Sequence, residues 1–125
     1  MPAETRAALQ SILDSPVGDK IRTSGTRIKL ALTLGVDNIF EVVENVIYYH
    51  TDVKGHLNVM KKYHLNGDGN SSATLGSLLS HEIGHVIGAN GSSEIWTVRN
   101  FENPYRLYYD LPARRSYWKE NDIIE

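Results

Sequence analysis

With 125 residues, 41% of them hydrophobic and 22% charged, the chain has room for a single domain spanning 1–125 and is too apolar to be disordered. Its 13 basic and 15 acidic side chains leave a formal charge of -2, which supplies no field to hold a polyanion, so a nucleic-acid partner is not expected. The absence of cysteine removes disulfide scaffolds, thiolate zinc fingers, iron–sulfur clusters and cysteine nucleophiles.

The chain starts Met1-Pro2-Ala3-Glu4-Thr5-Arg6 and runs into a polar amphipathic segment, so no Sec signal peptide is expected. Ala8, Leu9, Ile12 and Leu13 recur at helical steps, which predicts a helix from Ala3 to Ser15 that Pro16 and Gly18 close. Arg27 to Leu34 alternates, with Ile28, Leu30, Leu32 and Leu34 on one side, and reads as a half-buried strand. Apolar runs such as Leu30–Leu34 fall far short of the roughly 20 residues that cross a bilayer, so membrane insertion is not expected.

Asn38 to His50 fits either period, because Ile39, Val42, Val43, Val46 and Ile47 suit a helix while Val46-Ile47-Tyr48-Tyr49 has strand composition; we favour a strand from about Asn45. Turn residues from Thr51 to Gly55 then predict a return strand from His56 to Tyr63 in a hairpin. Asn66 to Ser72 is a loop by composition, and a helix is expected from near Ala73 to the Asn90-Gly91 break. The fold class is therefore α+β, with a small, largely antiparallel sheet, one central helix and a C-terminal helical segment.

Within the central helix lies His81-Glu82-Ile83-Gly84-His85, an H-E-x-x-H sequence. Histidines four residues apart leave one helix face on adjacent turns, so both imidazoles can reach one ion. At about 100° per residue they share an arc with Thr74 and Gly88, beside the apolar arc of Leu75, Leu78, Leu79, Ile83 and Val86, which places them at the rim of the buried face. Neutral imidazole suits zinc, and a catalytic zinc site takes three protein ligands plus an open position. Glu82, adjoining the first ligand, is placed to take a proton from water.

The metzincin extension fails, because the position for its third histidine holds Gly91 and both methionines, Met1 and Met60, precede the motif. The third ligand must come from elsewhere: Glu94, Glu102 and Asp110 are the acidic candidates, with Glu102 our choice, and His50, His56 and His64 the other nitrogen donors. Glu94 could instead serve only as a favourable charge in the first turn of a following helix. Asn103 and Pro104 could cap and open a helix beside Glu102, or Ile95, Val98 and Glu102 could share one helical face.

His81-Glu82-Ile83-Gly84-His85, then Glu102-Asn103-Pro104-Tyr105-Arg106, then Leu111-Pro112-Ala113-Arg114-Arg115-Ser116-Tyr117 together resemble the bacterial effector and polymorphic-toxin zinc metallopeptidases, of the type that cleaves host MAP kinases. The resemblance covers roughly Leu75 to Trp118 and rests most on its tail, an E-N-x-x-R block followed by L-P-x-R-x-x-Y. It implies a zincin-like domain that hydrolyses peptide bonds in a protein substrate with one Zn²⁺ held by His81, His85 and Glu102. It further implies roles for Arg106, Arg114 and Tyr117, delivery into a target cell, and an immunity or host-target protein as partner. Tyr117 is the preferred donor to the developing oxyanion, ahead of Tyr105, Tyr108 and Tyr109. Arg106 is the best arginine to hold Glu102 or a substrate carboxylate. The competing expectation is a noncatalytic module braced by zinc, and hydrolysis of a nonpeptide amide is a third.

Overall fold

The structure is a computed structural model that describes residues 1–32, 39–49, 52, 57–58, 73–88 and 93–115. Helix α1 spans Ala3–Leu13 and turns Thr5, Ala8 and Ile12 inward at helical steps. Pro16 does not end the helical region. Ser15 caps a second helix, α2, Pro16–Ser24, by accepting from the Val17 N–H at 3.2 Å. Pro16 fits the first helical position because its missing N–H would have no partner there. Gly25, at φ +71°, closes α2 in the left-handed conformation that glycine adopts without a steric cost.

Among the described residues three short strands follow: β1 Lys29–Leu32, β2 Phe40–Val43 and β3 Val46–Tyr49. β2 and β3 form a hairpin whose connecting residues, Glu44 and Asn45, both have positive φ (53° and 65°), as a two-residue type I′ turn requires. β2 is the element that sequence periodicity hid, and the hairpin lies one strand earlier than expected. Of the expected return strand His56–Tyr63 only Leu57 and Asn58 are described, and both are helical. The sheet order is β1-β3-β2, with β1 parallel and β2 antiparallel to β3, so the sheet is mixed and not largely antiparallel. Leu30, Ile47 and Val42 stand in register on its inner face. Leu32 shares that face but ends the strand 51% exposed, so the expected alternation is buried only in part.

Helix α3, Leu75–Ile87, packs against the sheet, chiefly at β2, and against α1. It begins two residues later than composition suggests. Thr74 caps it, accepting from Ser77 N–H at 3.1 Å, while the Ser77 hydroxyl accepts from Thr74 N–H at 2.9 Å, a reciprocal capping box. Ile12, Ile47, Leu79 and Ile83 are fully buried where α1, the sheet and α3 meet. Each contributes about 1.5–3 kcal/mol of transfer free energy.

The chain then forms one helical run in three parts: α4 Glu94–Thr97, a π-helical turn Val98–Glu102, and α5 Asn103–Tyr108. Its wide turn has a sequence cause. Pro104 offers no N–H to the carbonyl of Asn100, and its ring would crowd that carbonyl in a regular helix. The Asn103 N–H instead reaches back to Val98 O, and Lys20 of α2 donates its ammonium to Asn100 O while lying 5.3 Å from the Phe101 ring centroid. Asn103 therefore continues the helix and does not cap it. Among the described residues no helix is long and apolar enough to cross a membrane.

The π turn meets α3 at Gly84. A Cβ there would stand 2.6 Å from Thr97 Cγ2 and 2.9 Å from Phe101 Cδ2, so the two helices approach as closely as glycine permits. Gly84→Ala should lower stability by about 1–3 kcal/mol through overpacking, read as a lower urea midpoint. An unchanged midpoint would contradict this packing.

Candidate metal centre

His81 and His85 leave the α3 face turned toward the helical run 94–108, His81 with its side chain 4% exposed and His85 with 19%. Their Nε2 atoms lie 3.2 Å apart. Glu94, at the start of α4, presents Oε2 to His81 Nε2 at 2.8 Å and Oε1 to His85 Nε2 at 2.6 Å. Ligand atoms of His81, His85 and Glu94 all fall within 4.8 Å of one another. Tetrahedral zinc with bonds of about 2.0–2.1 Å sets its ligands roughly 3.3 Å apart. The nitrogen pair already has that separation, and the donor set of two imidazoles and a carboxylate fits zinc.

Glu102, expected as the third ligand, is elsewhere. Its carboxylate is fully buried and meets the other nitrogen of His81, Nδ1, at 2.9 Å through Oε1. The π turn explains how one helix supplies both groups. In a regular helix Glu94 and Glu102 would point about 80° apart, and widening one turn by a residue removes about 100°, so both face His81. Glu94 was legible as an acidic candidate, but Pro104 marks only an interruption of the helix and does not by itself specify the π turn that brings Glu94 to the Nε2 side of His81 and Glu102 to the Nδ1 side.

Arg106, expected to hold Glu102 or a substrate carboxylate, is buried behind Glu102 and holds it: its Nε donates to Glu102 Oε2 at 2.7 Å and its Nη1 to Pro112 O at 3.2 Å. Arg114 Nη1 donates to Glu102 Oε1 at 3.0 Å. Asn103 holds the backbone of Arg114 on both sides, donating from Nδ2 to its carbonyl at 2.9 Å and accepting its N–H at 2.7 Å. Sequence reasoning missed this clamp, as it missed Thr97, whose hydroxyl is 3.5 Å from His85 Nδ1. Asp110 is exposed in the turn after α5. Tyr117, His50, His56 and His64 lie outside the described residues.

Burial disfavours the charged form of His81, yet hydrogen bonds to Glu102 and Glu94 outweigh it and hold its pKa up to about 9. Burial raises Glu82 to about 7 against the pull of the two histidines. Glu102 runs the other way: burial is overcome by the His81 hydrogen bond and the two guanidiniums, which keep it down to about 2.

These shifts set a pH dependence. With its folded pKa above the ordinary 6.5, His81 stabilises the metal-free fold fully below about 6.5, and that contribution is lost as pH rises through about 9. Glu82, raised from 4.5 to about 7, changes stability in the same direction at lower pH. The melting temperature of metal-free protein should therefore fall between about pH 6 and 9, while zinc binding, which displaces the His81 proton, tightens over the same interval. Calorimetry with and without a chelator checks both, and a metal-free curve that rises with pH would contradict the assignment.

Comparison with family models, with curated proteins and with solved structures finds no match to this chain.

Proposed function

We propose that the chain is a zinc-dependent endopeptidase in which His81, His85 and Glu94 hold the ion and Glu82 is the general base. The observation that carries this reading is the convergence of two imidazole nitrogens and a carboxylate beside the glutamate of an H-E-x-x-H helix. When bound, zinc supplies a Lewis acid that polarises a carbonyl and makes water more acidic. Glu82 takes the proton of the attacking water on its carboxylate and passes it to the nitrogen that leaves as the C–N bond breaks.

The buried rear of the site holds the ligands still: with Glu102 on Nδ1 of His81 and Thr97 beside Nδ1 of His85, both Nε2 atoms turn toward Glu94, where the ion would sit. Resemblance of the H-E-x-x-H, E-N-x-x-R and L-P-x-R-x-x-Y blocks supports a bacterial effector or toxin domain delivered into a target cell, with a protein substrate and an immunity or host-target partner. It also carries the oxyanion-donor role of Tyr117.

The test is an N-terminal proteomic digest of a cell lysate treated with zinc-loaded protein, with chelated protein and with the Glu82→Gln variant. New termini that need both zinc and Glu82 are expected. A zinc-loaded protein that unfolds when stripped of metal but generates no termini would establish the noncatalytic zinc-braced module instead.

A further inference from the structure

We propose that Glu102 is a positioning residue for the metal centre: clamped by Arg106 and Arg114, it orients the His81 ring so that Nε2 faces the ion. This inference rests on the metal reading above and assigns Glu102 a place behind the ligand, where the motif resemblance implies a ligand.

The hydrogen-bond inventory sets the direction. A carboxylate only accepts, and Glu102 Oε1 faces His81 Nδ1 at 2.9 Å while Glu94 Oε2 faces Nε2 at 2.8 Å, so without an ion both nitrogens carry a proton. An ion seated between the two histidines and Glu94 takes the place of the Nε2 proton, and the proton that remains, on Nδ1, stays with Glu102. The carboxylate is itself fixed. Arg114 Nη1 donates to Oε1 and Arg106 Nε to Oε2, both guanidiniums buried. Arg106 is anchored on Pro112 O, and the Arg114 backbone is anchored on Asn103.

Glu102, Asn103 and Arg106 of one sequence block and Pro112 and Arg114 of the other therefore converge on a single carboxylate. The i, i+4 spacing of Glu102 and Arg106 puts both on one helix face, and Asn103 brings the Pro112–Arg114 segment back over them. Nothing in this arrangement requires a substrate. The two blocks thus form one lock on the rear nitrogen of His81, the carboxylate–histidine–metal arrangement that fixes tautomer and raises ligand basicity.

Zinc affinity, measured by competition with a chromophoric chelator, should fall about 10–100-fold in Glu102→Gln. The cobalt-substituted variant should keep the wild-type visible absorption of a four-coordinate centre, because no ligand has been removed, whereas Glu94→Gln should alter that spectrum. Should Glu102→Gln not fold, long-range ¹H–¹⁵N spectra of the zinc-loaded wild type decide, with Nδ1 of His81 protonated and Nε2 metal-bound. Metal on Nδ1, unchanged zinc affinity in folded Glu102→Gln, or a changed cobalt spectrum in that variant would overturn the positioning role alone. A wild-type chain that takes up no zinc would overturn the metal reading on which it stands.

Discussion

Glu94→Gln should cost the protein its zinc, with affinity falling by more than the roughly 100-fold that loss of an outer partner produces. Glu94 touches both Nε2 atoms, at 2.8 and 2.6 Å, so its removal takes away one of three converging donors. The substitution is mild for the fold. Glu94 opens a short helix with its side chain 31% exposed, where charge near the N-terminus adds about 0.3–1 kcal/mol. Metal content therefore reports ligation and not unfolding. Asp110→Asn, in the exposed turn after α5, should leave zinc stoichiometry unchanged. Full zinc occupancy in Glu94→Gln would return the third-ligand role to another residue.

Glu82→Gln should separate binding from chemistry. The amide cannot accept the proton of water, so hydrolysis of a protein substrate should fall by about 10²–10⁴-fold while one zinc per chain remains. Stability should move the opposite way. Because burial raises the Glu82 carboxyl to about 7 in the metal-free fold, ionisation above that pH opposes folding, and the metal-free glutamine variant should melt no lower than metal-free wild type at pH 8. Wild-type cleavage rates in purified variant would remove Glu82 from the mechanism.

The parts of this molecule that sequence periodicity exposes are those where one local rule has no rival. Helix α3 has an apolar stripe and an H-E-x-x-H face that agree, so its place, to within two residues at its start, and the shared face of His81 and His85 were legible, whereas its Thr74 cap was not. Pro16 illustrates the opposite case. A proline ends one helix and opens the next by the same missing N–H, and only the Ser15 cap on Val17 tells which. β2 was hidden because Ile39, Val42, Val43, Val46 and Ile47 satisfy a helical period, while the turn that divides them puts a glutamate at positive φ, an uncommon residue there.

The choice between Glu94 and Glu102 as candidate ligand was beyond sequence reasoning for a geometric reason. Glu94 and Glu102 are both acidic, both follow the motif, and both reach His81. Which nitrogen each one meets depends on a π turn created around Pro104 and supported by Lys20 from a helix far earlier in the chain. Arg106 was singled out as a partner of Glu102 or of substrate, and its burial at 0% exposure places it with Glu102.

Anomalous diffraction at the zinc absorption edge, on crystals of the zinc-loaded protein, tests the central assignment most directly. The expected result is a single strong peak within about 2.0–2.2 Å of His81 Nε2, His85 Nε2 and a Glu94 carboxylate oxygen, with Glu102 on the far side of the His81 ring. A peak bonded to Glu102, or no peak between the two histidines, would contradict it.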